Sequence, residues 1–346
     1  MVHLGYRSLG RSGTLVSSYC LGTMTFGAET DEAGSHEQLD LFVEAGGNLV
    51  DTADVYTAGA AEEIIGRWLA KRPDEVRDRV VIASKGRFPM GTDVNDAGLS
   101  RRHLDRALEA SLRRLGVDTI DLYQTHAWDP LTPLEETLRW CDDVVRAGKV
   151  RYVGLSNYTG WQLQQAVDLA EHRGWARPVT LQPQYNLLVR EIEWEIVPAS
   201  LHNGLGLLPW SPLGGGWLTG KYTRDQRPGG ATRLGEDPQR GVEAYDGRAA
   251  SDRTWAVIDA LQRVAEERGV PMGRVALAWL HGRPGVTSVI LGARTTDQLR
   301  DNLAAAELTL SAEEVALLDR ASDPGAADYP YGRAGVEQRS RATTIG

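Results

Sequence analysis

Short apolar runs alternate with stretches of helical spacing along almost the whole chain. Residues 6–20 hold two short apolar pieces divided by Gly10, Ser12 and Gly13, the pattern of a β-hairpin. Residues 19–24 read as a first buried strand running into Gly22. Helical spacing at Leu39, Phe42 and Val43 stops at Gly46-Gly47, and residues 48–51 begin the next strand. The same rhythm predicts a helix over 62–69, a strand over 79–85 and a strand over 120–126. Between those strands, Leu104, Ala107, Leu108, Ser111, Leu112 and Leu115 form one helical stripe, with Ser100 placed to cap it. Helix 134–145, strand 150–155, a helix on Leu163, Ala166, Val167 and Ala170, and strand 179–182 follow. Then come helix 193–201, strand 206–211, helices near 257–266 and 274–280, strand 286–291 and a helix from about Thr296.

Counted from Cys20, this makes about eight βα units, the number that closes a parallel barrel. The expected class is α/β, a (β/α)8 TIM barrel with an N-terminal hairpin; a doubly wound sheet is the second choice. No linker or shift in composition divides the 346 residues, so 1–346 read as one domain. Two segments break the rhythm. Residues 212–252 form a long connection rich in Gly, Arg and Asp, and a loop of that size in a compact domain is expected to be a lid or a binding loop. The tail from Asp323, with Pro324, Tyr329, Pro330 and Tyr331, either covers a barrel mouth or hangs free.

Composition narrows the partners. A net charge of −9 argues against nucleic acid and against anionic membrane surfaces. The two cysteines, Cys20 and Cys141, lie in no CxxC or His-rich context, which suggests a reducing compartment with no structural metal and no disulfide framework. The first residues lack a basic segment followed by an apolar run, and nothing approaches the ~20 apolar residues of a membrane span. A cytoplasmic protein is expected, and self-association into a homo-oligomer stays open.

In a βα barrel the working groups stand where strands end. Asp51, Lys85 and His126 each stand at or just past such an end, and Tyr56 follows Asp51 on a short turn. Taken singly, Asp51 reads as a turn cap, Tyr56 as a wall residue, Lys85 as a solvated strand end and His126 as a core histidine. Taken together, they make a chemical set. A phenol of pKa about 10 needs a cation to stabilise its anion, and a lysine about 4 Å away is worth roughly 4 kcal/mol at an effective dielectric near 20. That equals a downward pull of about 3 pKa units before desolvation is subtracted. Asp51 would keep the lysine charged and His126 would donate to a carbonyl oxygen. Such a set protonates an oxygen that is gaining negative charge, as in carbonyl reduction with a hydride-bearing cofactor.

Asp51-Thr52-Ala53-Asp54-Val55-Tyr56, Ala83-Ser84-Lys85, Tyr123-Gln124-Thr125-His126 and Gly154-Leu155-Ser156-Asn157 add further signal, as do Gln182, Trp210-Ser211-Pro212-Leu213-Gly214 and Gly292-Ala293-Arg294. Over nearly its whole length the chain resembles the aldo-keto reductases, including the branch that contains the potassium-channel β-subunits. The resemblance implies a (β/α)8 barrel with a bottom hairpin and an extended nicotinamide cofactor at the top. By that likeness Tyr56 is the general acid/base, Lys85 and Asp51 tune it, and His126 orients the carbonyl. Ser156, Asn157 and Gln182 would hold the carboxamide, Trp210 would lie under the nicotinamide ring, and Thr23, Met24 and Asp51 would line it. Ser211, Leu213, Gly215 and Lys221 would hold the pyrophosphate, while Gly292, Arg294, Gln298, Asp301 and Asn302 would sit at the adenosine end. Gln298 also fits a capping box with Thr295. Arg294 suggests a 2′-phosphate and hence NADP(H), because a guanidinium matches phosphate in fork geometry. Phe26, Tyr56, Trp128 and either Tyr185 or the tail would wall the substrate pocket.

Residues 215–221 have P-loop spacing, but Tyr222 stands where magnesium needs a hydroxyl of serine or threonine, and no GxGxxG occurs. The expected function is NADPH-dependent reduction of a small carbonyl compound. Two alternatives remain. One is a cofactor-sensing partner protein like the channel β-subunits, many of which depart at the position of His126. The other is a deoxysugar-ketone reductase, which residues 94–100 resemble.

Overall fold

The computed structural model describes residues 4–224, 227–230, 233–239 and 241–339. Two sheets are present among the described residues. The first is a hairpin of β1 (Tyr6–Ser8) and β2 (Leu15–Ser17), paired antiparallel with Arg7 opposite Val16. The second is parallel throughout and contains β3 (Tyr19–Gly22), β4 (Leu49–Asp51), β5 (Val81–Gly86), β6 (Ile120–Thr125), β7 (Val150–Ser156), β8 (Pro178–Gln182), β9 (Gly206–Leu207) and β10 (Val289–Leu291). These eight strands follow chain order, with β10 returning beside β3. The ring closes between β9 and β10. Leu207 pairs in parallel with Val286, Thr287 N donates to the Leu207 carbonyl at 2.8 Å, and Ile290 N donates to the Pro209 carbonyl at 3.0 Å. Helices between the strands complete an α/β, (β/α)8-type barrel, as the alternating pattern predicts.

Local chemistry sets the helix ends. Asp31 caps the helix Glu32–Glu44 by accepting from Gly34 N, and Ser100 caps Arg101–Leu115 by accepting from His103 N. Gly116, Gly174 and Gly269 close their helices in the left-handed conformation. Two expected boundaries move. The helix expected from 193 begins instead at Ile196, because Glu193 is drawn into a 3-10 turn by Tyr185 (2.6 Å) and Arg190 (2.8 Å). The strand expected over 206–211 shrinks to Gly206–Leu207, because Pro209 has no N–H to donate and Ser211 has a φ of +54°.

The two-residue period of the strands organises the barrel interior. Near the bottom the inward positions are apolar: Cys20, Leu49, Ala83, Leu122, Leu208 and Ile290 cluster with Leu9 and Val16 of the hairpin. The hairpin therefore plugs the lower end. Gly10 permits the fit, since a Cβ there would stand 1.9 Å from the Val179 carbonyl oxygen, at a φ of +56°. Two residues further along β4, β5 and β6, the same inward face becomes polar, with Asp51, Lys85 and Gln124 all buried. The apolar floor and the polar upper layer are consecutive turns of one alternation.

The described residues of the long connection pack closely. Trp217 is fully buried, stacks on Tyr245 at 5.3 Å and meets Tyr222 and Trp255 edge-on. Short helical turns occupy Gly214–Thr219, Arg233–Glu236, Gly241–Glu243 and Tyr245–Ala249. In the tail, Tyr331 stacks on Trp194 at 5.5 Å and its hydroxyl bonds Glu195, which docks it on the turn before the helix Ile196–Asn203.

Candidate active site

Asp51, the last residue of β4, projects into the barrel axis from its strand, and Lys85 does the same from β5. Lys85 Nζ donates to Asp51 Oδ2 at 2.6 Å, to the Thr52 carbonyl at 2.8 Å and to the Tyr56 hydroxyl oxygen at 3.2 Å. These three acceptors use all three ammonium protons. Asp51 Oδ1 in turn accepts from Gln182 Nε2 at 2.9 Å and from Gln124 Nε2 at 3.3 Å. Its carboxylate is thus fully engaged from three neighbouring directions.

Tyr56 begins a tight turn in which Thr57 and Ala58 both have left-handed backbones, at φ 48° and 52°. Such a run costs free energy in residues other than glycine. Thr57 holds it by donating its hydroxyl to the Phe26 carbonyl at 2.9 Å. Across the mouth, the His126 ring meets Tyr56 edge-on at 5.9 Å and Phe88 at 4.6 Å. The His126 main chain is fixed by Gly86 O at 3.2 Å and by Asn157 Nδ2, which donates to the His126 carbonyl at 2.9 Å.

The electrostatics separate the roles these groups can take. Burial alone would lower the Lys85 ammonium, but the Asp51 carboxylate and then Tyr56 hold its pKa above the ordinary range. Burial raises the Tyr56 phenol, and Lys85 offsets only part of that rise. The net direction is upward, so desolvation exceeds the downward pull expected from a lysine neighbour. Burial, reinforced by Lys85 and Arg87, drives His126 down to about 2, which leaves a neutral imidazole. Its Nδ1 is buried without a hydrogen-bond partner. A neutral donor, a protonated phenol and an adjacent fixed cation can together stabilise and protonate an oxyanion.

A cavity of about 800 Å3 runs from Asp51, Tyr56 and His126 past Trp210 to Arg294. All the residues expected at a cofactor line it: Thr23, Met24, Ser156, Asn157, Gln182, Trp210, Ser211, Leu213, Gly215, Lys221, Gly292, Arg294, Gln298, Asp301 and Asn302 join Asp51 there. The volume falls within the ~300–1,000 Å3 of ligand sites. Several of these groups already bond one another. Trp210 Nε1 donates to Asn157 Oδ1 at 3.0 Å, and the Ser156 hydroxyl donates to the Gln182 carbonyl at 2.9 Å. Asn157 and Ser211 have φ of 55° and 54° at the exits of β7 and of the β9 segment. Gly214, Gly215 and Gly216 continue in left-handed conformations, and Gly215 and Gly216 face the cavity with main chain alone. Lys221 follows a left-handed Gly220 and starts no helix, so the P-loop spacing is not a P-loop.

At the far end Gln298 accepts from Arg294 N at 2.9 Å, while Thr295 accepts from Gln298 N at 3.2 Å. The Thr-x-x-Gln cap forms, with its return bond on the residue before the cap. Asp301 is held by Arg274 at 2.5 Å, and Asn302 donates to the Gly292 carbonyl at 3.5 Å.

The substrate wall differs from expectation. Tyr56 lines the cavity, but Phe26 is fully buried in the apolar core and Tyr185 is turned toward Glu193 and Arg283. Trp128 stands outside the cavity lining, edge-on to Tyr158 at 5.3 Å and to Trp161 at 5.4 Å. Among the described residues no part of the tail lines the cavity either. Two groups were assigned no role from the sequence. Gln124 lies beside Lys85 in register and two positions beyond inward Leu122, so the strand period could have found it. Glu243 accepts from the Ser211 hydroxyl at 3.2 Å, and no local pattern foretells it.

The sequence model of the aldo/keto reductase family matches residues 19–323. The chain belongs to the aldo/keto reductase family. It is 38% identical over 323 residues to an uncharacterized oxidoreductase, YrpG, of Bacillus subtilis, covering 91% of this chain and 94% of that one. It is 34% identical to a versiconal hemiacetal acetate reductase of Aspergillus parasiticus, covering 93% and 98% of the two chains. A probable voltage-gated potassium channel subunit beta of Oryza sativa subsp. japonica is 37% identical over 88% of this chain and 91% of its own. Aldo/keto reductases bind a nicotinamide cofactor and act as oxidoreductases on small carbonyl compounds, and the cavity's donor set fits that group. No helix among the described residues is long and apolar enough to cross a membrane.

Proposed function

We propose that this aldo/keto reductase uses NADPH to reduce aldehydes or ketones to alcohols, with Tyr56 as the general acid. The cofactor supplies the hydride. One observation carries the reading. Because Lys85 spends its three protons on Asp51, Thr52 and the Tyr56 oxygen, the phenol accepts from Lys85 and keeps its own proton for the cavity. The raised phenol stays protonated at neutral pH, which a proton donor requires. Once the proton leaves, the ammonium at 3.2 Å stabilises the phenolate, and Asp51 keeps that ammonium charged. Neutral His126 presents a donor to the carbonyl oxygen without competing for the proton.

Ser156, Asn157 and Gln182 would orient the carboxamide, and the indole of Trp210 would support the ring. Ser211, Leu213, Gly215 and Lys221 would receive the pyrophosphate. Arg294 would receive the 2′-phosphate, with Gln298, Asp301 and Asn302 around the adenosine. Both cysteines are buried and free, which supports a reducing, cytoplasmic setting. The rice relative's name raises a channel-partner role, but a complete set of Asp51, Tyr56, Lys85 and His126 favours turnover.

The test is a panel of aromatic and short aliphatic aldehydes with NADPH and with NADH, run beside Tyr56→Phe. The variant should lose at least about 100-fold in kcat while binding NADPH within about threefold of the parent. Retained turnover removes Tyr56 from its role, and equal use of both nicotinamides removes the NADP assignment.

A further inference from the structure

The guanidinium of Arg294, at the end of the cavity, is already engaged. Its Nη1 donates to Glu236 Oε1 at 2.9 Å and its Nη2 to Glu236 Oε2 at 2.8 Å, a two-pronged pair of the geometry a phosphate would use. Glu29 adds a second carboxylate at 3.6 Å. Glu236 ends the short helical turn Arg233–Glu236 in the long connection after β9, so the loop reaches the exit of β10, the strand beside β9 where the ring closes. Among the described residues, this guanidinium meets the carboxylates of Glu236 and Glu29.

The same loop places Glu243 on the Ser211 hydroxyl, but the two contacts differ in kind. Glu243 is 2% exposed and is also bonded by Arg248 at 3.2 Å and by Gln184, so it is a fixed anchor. The Glu236 side chain is 44% exposed, so water can take it back when a competitor arrives. A phosphate monoester carries a charge of about −1.5 to −2. Added while Glu236 holds Arg294, it would meet that carboxylate's charge; with Glu236 displaced, it takes the two prongs that Glu236 held. An unphosphorylated ribose brings no charge and makes no such demand.

We infer that Glu236 is a specificity-setting residue, an internal carboxylate that competes with the cofactor's 2′-phosphate for Arg294 and so weakens NADPH relative to NADH. This rests on Arg294 being the 2′-phosphate group of the function proposed above. Binding of a 2′-phosphorylated cofactor exchanges one loop contact for a ligand contact, whereas NADH leaves the loop's pair intact.

Dissociation constants for NADPH, NADH and 2′,5′-ADP, measured by calorimetry on the full chain, test it. Glu236→Gln should tighten NADPH and 2′,5′-ADP about 3- to 10-fold and move NADH less than about twofold. In an Arg294→Ala background the same change should leave NADPH affinity unaltered. An unchanged NADPH-to-NADH ratio in Glu236→Gln, or weaker NADPH binding, overturns the inference. Arg294→Ala separates the two levels. Selective loss of NADPH there, with an inert Glu236→Gln, keeps the 2′-phosphate assignment and defeats only the competitor. Equal loss of both nicotinamides defeats the assignment and the competitor together.

Discussion

Lys85 Nζ lies 2.6 Å from Asp51 Oδ2, and both side chains are shut away from water, at 0% and 3% exposure. In a low-dielectric interior each charge depends on the other. Removing one partner of such a pair costs about 3–5 kcal/mol, because the survivor is left uncompensated. Lys85→Met should therefore lower unfolding free energy by about that amount in urea titrations. Lys85→Met combined with Asp51→Asn should recover part of it. A single variant within about 1 kcal/mol of the parent would mean the two charges do not depend on each other.

Asp54 sits behind this pair, fully buried, with no side chain bonded to either carboxylate oxygen. Burial, and then Glu62, raise it to about 7 from 3.8. The folded chain thus holds a proton that the unfolded chain releases above pH 3.8. This contribution to stability falls as pH rises from about 4 to about 7 and then levels off, at about 1.4 kcal/mol per unit at most. Asp54→Asn lacks the titration, so its melting temperature relative to the parent should climb between pH 5 and pH 8. A constant difference across that range would show Asp54 to be ionised throughout.

His126 titrates in the opposite sense. Its folded value of about 2 lies far below the 6.5 of an open histidine, so the unfolded chain takes up a proton first as pH falls. Stability from this group is complete above about pH 6.5 and drains away in acid, by about 1.4 kcal/mol per unit. Nitrogen NMR of the imidazole at pH 5.5 should show a neutral ring in the folded protein. A protonated ring at that pH contradicts the assigned environment.

Gly10 carries the hairpin's fit to the barrel. Gly10→Ala forces a Cβ against the Val179 carbonyl and the Gly206 amide in a left-handed backbone. The expected loss is at least about 2 kcal/mol in chemical denaturation. A midpoint equivalent to less than about 0.5 kcal/mol would show the hairpin free to shift.

The parts of the site that could be read in advance are those set by strand period. Asp51, Lys85 and His126 follow apolar inward residues at even spacing, so one rule places them all at the same end. Gln124 obeys the same rule, yet an amide carries no charge to draw notice. Contacts made by a loop folding back on the barrel had no such rule. Glu236 reaches Arg294 across 58 positions, and neither neighbourhood announces the other. Phe26 and Trp128 look alike as aromatic residues after strands, but packing sends Phe26 into the core and Trp128 to the company of Tyr158 and Trp161. Tyr56 was legible as a residue, and the direction of its pKa was not, because the cost of drying the phenol depends on its burial among neighbours from three strands.

With Leu9 and Val16 wedged into the lower end, the vessel has a floor, and its cavity lies at the upper mouth. Two guests that share it must queue: whichever rests deeper has to enter first and can depart only after the other has gone. A tightly held latecomer would imprison its predecessor, so an excess of it should slow exit from the depths.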